Sequence, residues 1–184
     1  MIALLSVSRD GDILLMRWVV TSFPFQVISK IDTQSFLVGT WDKEKPLRTV
    51  DVLGNEGYMS NVSLPSTFYK GSEYIVLAKL LALTVPTQNI VYLKTVENNT
   101  GKLVKDKRIL CPVGVCAGPR GTIFVCCEDN HCLVQLSQQG DVLTSYDVSM
   151  QFPRYVRVSR DGTRMAVANA NKNNGMIKLF KTPS

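Results

Sequence analysis

Residues 121–141, GTIFVCCEDNHCLVQLSQQGD, place three of the chain's five cysteines around its single histidine. Thiolates and imidazole bind zinc and also serve nucleophilic catalysis, so Cys126, Cys127, His131 and Cys132 are the first candidates for chemistry. The spacing argues against both uses. Adjacent side chains on a strand point to opposite faces, so Cys126 and Cys127 do not reach one ion together. A closed zinc site takes four ligands, usually two Cys-x2–4-Cys knuckles, and this cluster offers Cys127-x4-Cys132 without a second such pair. His131 as a general base lacks convergent partners, because no Gly-x-Ser-x-Gly elbow, His-Glu-x-x-His pair or phosphate-binding glycine loop occurs. The expectation is therefore packing cysteines, with no catalytic residue, no metal site and no cofactor. Cys127 and Cys132 flank residues 128–131 and should oppose each other across a hairpin, a pair able to oxidise or, with His131, to hold a metal.

The elements around the cluster read as strands. Short runs rich in Val, Ile, Leu and Phe alternate with turn residues, and no sustained helical period appears. One set of turns, SVSRDGDILLM, VDVLGNEGYMSNV, KTVENNTGKLV and VQLSQQGDVLTSY, carries Gly11, Gly57, Gly101 and Gly140, spaced 46, 44 and 39 residues apart. These glycines are expected at positive φ, where a side chain is costly. A second set falls between them: KIDTQSFLVGTW, FYKGSEYIVLA, AGPRGTIFVCC and VSRDGTRMAVA. Pro112 and Pro153, like Gly121 and Gly162, lie 41 residues apart. Two hairpins per ~40–45 residues make one blade of a β-propeller, an all-β fold of four-stranded antiparallel sheets. The chain divides into a hairpin at 1–20, blades at 21–63, 64–109 and 110–149, and an incomplete blade at 150–184. Both faces of such sheets are covered, which explains unbroken apolar runs such as EYIVLA and TIFVCC.

Bulk composition fits a globular protein: 184 residues, 45% hydrophobic and 20% charged. No apolar run approaches the ~20 residues that span a bilayer. The N-terminal apolar segment meets Arg9 and Asp10 too soon for a signal peptide. Five cysteines without such a signal point to a reduced, cytoplasmic setting, so the sequons at Asn61 and Asn98 carry no meaning there. The net charge of +6 lies entirely in residues 102–184, where twelve Lys/Arg face six Asp/Glu. An anionic partner or a solvated basic rim would each account for that asymmetry.

The stretch CPVGVCAGPRGTIFVCCEDNHCLVQLSQQGDVLTSY resembles an NHL repeat through Pro112, Gly114, Gly121, Ile123, Val125, Asn130, His131, Val134 and Gly140. The following stretch to residue 180 fits the pattern less well and looks like a closing blade. The whole is similar to the C-terminal propeller of invertebrate tripartite-motif (TRIM) proteins. That resemblance implies six blades, so about four and a half are present here. An N-terminally truncated piece is favoured over a smaller closed ring or an open arc. It also implies a non-catalytic recognition module for protein or RNA, the target-binding part of a TRIM-like ubiquitin ligase. No RING or B-box array is present.

In a propeller, loops between second and third strands share a rim with the links between blades. On that rim the candidate partner-binding residues are Asn130, His131, Arg154, Tyr155, Arg157, Asn171, Lys172 and Asn173. They combine cations, an aromatic and amides, the mix that neutralises phosphates and meets exposed bases. Alternatively Tyr155 and Val156 begin an inner strand and bury, leaving only the arginines exposed. Arg120, Arg160 and Asp161 on the opposite rim read as turn chemistry. The basic run Lys102, Lys105, Lys107 and Arg108 reads as a solvated strand edge. The competing function is a metal-assisted hydrolase of the propeller-lactonase type, drawing calcium ligands from Asp42, Glu128, Asp129 and Asn169. Neither reading requires a membrane, and the oligomeric state is left open.

Overall fold

The computed structural model describes all residues except 9, 11, 41, 43, 60–63, 65–70, 76–78, 170–173 and 183–184. The first sheet is the hairpin β1 (Ile2–Val7) and β2 (Ile13–Val19). Then come β3 (Phe25–Lys30), β4 (Ser35–Thr40), β5 (Leu47–Asp51) and β6 (Glu56–Tyr58), paired in chain order. The third sheet holds β7 (Gly71–Ile75), β8 (Leu80–Val85), β9 (Ile90–Thr95) and β10 (Gly101–Val104). The fourth holds β11 (Pro112–Ala117), β12 (Ile123–Cys127), β13 (Cys132–Leu136) and β14 (Val142–Asp147). The last has three described strands, β15 (Pro153–Val158), β16 (Arg164–Asn169) and β17 (Ile177–Lys181). Every pairing is antiparallel. The first strands β3, β7, β11 and β15 lie side by side in sequence, as in the inner wall of a propeller.

The core lies between sheets rather than at one centre. Ile123, Val125 and Cys127 point toward the third sheet and pack with Val91, Leu93 and Val104. Phe124 and Cys126, on the other face of the same strand, pack with Val156, Met165 and Val167 of the last sheet. Similar layers join the second sheet to the third and the hairpin to the second. Middle strands are therefore buried throughout, as at β8 and β12, whereas β14 and β17 alternate. Each buried Val, Leu, Ile or Phe contributes roughly 1.5–3 kcal/mol by leaving water. The final strand pair and the hairpin stay partly bare: Ile13, Leu14, Met16, Ile177 and Leu179 are all strongly exposed.

The turn glycines need correction. Gly140 does have positive φ (80°), and so do Gly121 (75°) and Gly162 (72°). Gly57 and Gly101 instead sit within β6 and β10, and their turns are made by Gly54 (φ 95°) and Asn99 (φ 55°). Both strand glycines are there for space. A Cβ on Gly57 would lie 2.6 Å from Thr49 Oγ1, and one on Gly101 would lie 2.1 Å from Tyr92 Oη. Gly11 lies outside the described residues.

Candidate functional site: a rim built around His131

The loop between β12 and β13 and the links between sheets meet on one rim. Glu128 N donates to Cys111 O (3.1 Å), and Cys111 N donates to Asn89 Oδ1 of the preceding sheet (2.8 Å). Asn130 Nδ2 donates to the carbonyls of Lys107 (3.3 Å) and Arg108 (3.0 Å). The 105–111 link is thus held by both sheets it joins. On the next side, Phe152 N donates to His131 Nδ1 at 3.2 Å, and the two rings meet edge to face at 4.9 Å. Lys178 Nζ ties the same link from β17, donating to Ser149 O at 2.6 Å. These contacts make the rim a rigid platform, because loop carbonyls and amides that sheet pairing leaves over find partners on both neighbouring sheets.

Charge on the platform is paired. Arg154 donates through Nε (2.7 Å) and Nη2 to Glu128 Oε1. The Glu128 side chain is 13% exposed and that of Arg154 38%. The other Glu128 oxygen accepts from Cys111 Sγ at 3.5 Å. Partial burial, with Asp129 and Glu128 nearby, pushes the Cys111 thiol up to about 11. Arg157 donates through Nη1 to the carbonyls of Val115 and Val156, both at 3.1 Å, along the inner wall.

Beside the exposed Asp129, Asn130 and Gln151, the platform exposes two aromatic side chains. Phe152 is 44% and Tyr155 59% exposed, whereas Val156 beside Tyr155 is 1% exposed. A register shift between Pro153 and Tyr155 explains the split, since a bulge re-aims a side chain that alternation would bury. The two alternatives weighed for this strand each hold in part: Val156 buries, whereas Tyr155 stays exposed beside arginines that are hydrogen-bonded yet still reach solvent. Four residues other than glycine here have left-handed backbones: Cys111 (φ 47°), His131 (53°), Ser149 (47°) and Phe152 (54°). Each such conformation costs of order 1–2 kcal/mol, and such costs gather at functional sites.

Of the eight residues expected on the rim, Asn130, His131, Arg154 and Tyr155 come together, and Arg157 lies lower on the inner strand. Asn171, Lys172 and Asn173 fall outside the described residues. Sequence reasoning missed Phe152; an aromatic directly before the strand-opening Pro153 was the available signal. Only the competing hydrolase reading gave Glu128 a role, as a metal ligand, whereas the structure makes it the partner of Arg154. Asp42 is likewise engaged, by Arg48 at 2.6 Å. Asn169 bridges Gln151 O and Met176 N, and is a loop latch. Among the described residues no group of three His, Cys, Asp or Glu side chains is placed to hold a metal ion.

Two clefts lie elsewhere. One of about 460 Å³ runs between Leu93, Lys102 and Gln138, and one of about 410 Å³ between the turns carrying Arg120 and Arg160. No rim residue lines either. Lys102 is not a plain solvated edge, since its Nζ donates to Gln139 O (2.6 Å) of the next sheet.

Comparison with known proteins agrees with this geometry. Residues 110–136 match the NHL repeat family. No curated protein sequence matches the chain. Among solved structures, hydrazine synthase of Kuenenia stuttgartiensis superposes with a TM-score of 0.66 at 16% identity, over 91% of this chain and 49% of that one. A streptogramin B lyase gives 0.60 at 14% identity, over 88% of this chain and 57% of that one. A catalytically inactive virginiamycin B lyase from Staphylococcus aureus, solved with quinupristin, gives 0.57 at 13% identity, over 98% and 63%. The chain thus spans about half to two thirds of the length of these structures. At such identities the likeness concerns the fold. With the NHL match it supports an NHL-type β-propeller of four-stranded antiparallel blades. No helix among the described residues is long and apolar enough to cross a membrane.

Proposed function

We propose that this chain is a non-catalytic recognition module that binds a protein partner through the rim at 128–131 and 150–155. The carrying observation is the exposed pair Phe152 and Tyr155 on a rigid platform whose neighbouring cation, Arg154, is already neutralised by Glu128. Protein interfaces concentrate their energy in such aromatic anchors with Arg beside them. Binding a nucleic-acid backbone needs free cations, and here the guanidinium nearest the aromatics is occupied. The resemblance to tripartite-motif proteins extends the reading: the partner is a ligase target, and catalysis resides in other domains. The lactonase-type alternative is disfavoured because Asp42, Glu128 and Asn169, three of its four metal ligands, are held by other side chains or loop backbone.

The test is a comparison of partners captured by the wild type and by the Phe152→Ser/Tyr155→Ala double variant. Loss of two anchors should weaken a true partner by at least tenfold, since a hot-spot residue is worth about 2 kcal/mol or more. Retention should change little between low and high salt. Unchanged capture by the double variant contradicts the site. Steep salt dependence with RNA in the captured material would replace the protein partner by RNA.

A further inference from the structure

The four-residue loop Glu128–His131 closes on two cysteines that are direct cross-strand partners, Cys127 and Cys132. We propose that they form a dithiol modification site that closes to an intramolecular disulfide under hydrogen peroxide, with Cys132 as the peroxide-reactive thiol and Cys127 as the resolving one. This does not depend on what the rim binds.

Geometry selects this pair from the five cysteines. Opposed residues on antiparallel strands have Cα atoms about 4.5 or 5.5 Å apart, inside the ~4.4–6.8 Å span of a disulfide. Both side chains lie on the face toward the third sheet, Cys127 within that cluster and Cys132 packed against it. The two thiols are close enough to influence each other's ionisation, and the Cys127 thiol points back along its own strand toward Val125 O at 4.0 Å. The remaining cysteines are on the other face: Cys116 and Cys126 are buried there and Cys111 packs against the same cluster. Closure therefore needs no strand to flip.

Access sets the order of events. Cys127 is fully buried, whereas Cys132 is partly open to solvent. The neighbouring Cys127 thiol holds the Cys132 thiol below its ordinary value, against burial and the opposed Asp147 carboxylate. Cys127 is itself held protonated by the adjacent Cys132 sulfur and by burial. A thiolate next to the surface is the form that peroxide oxidises. Cys132 thiolate attacks one peroxide oxygen, the O–O bond breaks, and hydroxide leaves and takes up a proton as water. The resulting sulfenic acid is attacked by Cys127 sulfur, whose proton leaves with the hydroxyl as a second water. Two thiols and one hydrogen peroxide thus give one disulfide and two waters. The product staples the base of the loop that carries Asn130 and His131.

The experiment oxidises the folded, reduced chain with a small excess of hydrogen peroxide, blocks remaining thiols with N-ethylmaleimide, and maps peptides after cleavage at Glu128. The expected result is loss of two of the five alkylatable thiols and a Cys127–Cys132 cross-link, two hydrogens lighter, that dithiothreitol removes. Cys127→Ala should instead leave Cys132 as a sulfenic acid trapped by dimedone, and Cys132→Ser should leave Cys127 reduced. Three wild-type outcomes overturn the proposal: five thiols still alkylatable, Cys132 driven to sulfinic acid beside a free Cys127, or cross-links involving Cys111, Cys116 or Cys126. The wild-type map decides the matter even where a variant fails to fold.

Discussion

Arg154 lies on the rim, where a partner-facing cation is expected, and pairs there with Glu128. Its position on the rim followed from the 41-residue offset between Pro112 and Pro153. Its pairing with Glu128, 26 residues away, is a tertiary fact that no local pattern records. Arg154→Met would leave the Glu128 carboxylate 13% exposed with only the Cys111 thiol and backbone near it. The variant should lose about 1–3 kcal/mol in urea unfolding, the usual penalty for a stranded polar group. Cys111 supplies a pH prediction. Its folded value is raised from 9.0 to about 11, so the folded state prefers the neutral thiol. That contribution is complete below about pH 9 and disappears as pH rises through about 11. Thermal melts across that interval should show the wild type losing more stability than Cys111→Ala. Parallel losses would show that the thiol is not selectively protonated.

At the level of elements, strands and their grouping were legible because turn chemistry repeats at a fixed interval. What distinguishes one turn from another was not. The glycines at 57 and 101 were assigned to turns, yet their reason is close packing against Thr49 and Tyr92 on neighbouring strands. Only the partner strand reveals such a contact. Gly114 belongs to the same class, since a Cβ there would lie 2.2 Å from Arg154 O on the adjoining inner strand. Gly114→Val should cost at least 1–3 kcal/mol through overpacking and separate β11 from β15. Hydrogen exchange should then rise at β15 first. Unchanged protection there would mean that the inner strands are not held at this distance. The rim bulge at Pro153–Tyr155 was equally hidden, and it is what exposes Tyr155 while Val156 buries.

For the molecule as a whole, four interleaved apolar layers join five consecutive sheets, and the two end sheets each carry exposed apolar side chains. Ile13, Leu14 and Met16 are 60–67% exposed at one end, and Ile177 and Leu179 are 72% and 75% exposed at the other. Contiguous surfaces of this kind associate in water. The isolated chain should therefore self-associate with rising concentration, and Ile13→Lys/Leu14→Lys with Ile177→Lys/Leu179→Lys should suppress this in light scattering. Equal association by the quadruple variant would place the contact elsewhere.

Recognition through the His131 rim is tested most directly by placing a photo-crosslinking benzoyl group at residue 155, and separately at residue 160 on the opposite rim. Irradiation in cells should give discrete protein adducts from position 155, and fewer or none from position 160. Adducts confined to position 160, or adducts at 155 that contain RNA instead of protein, would contradict the account.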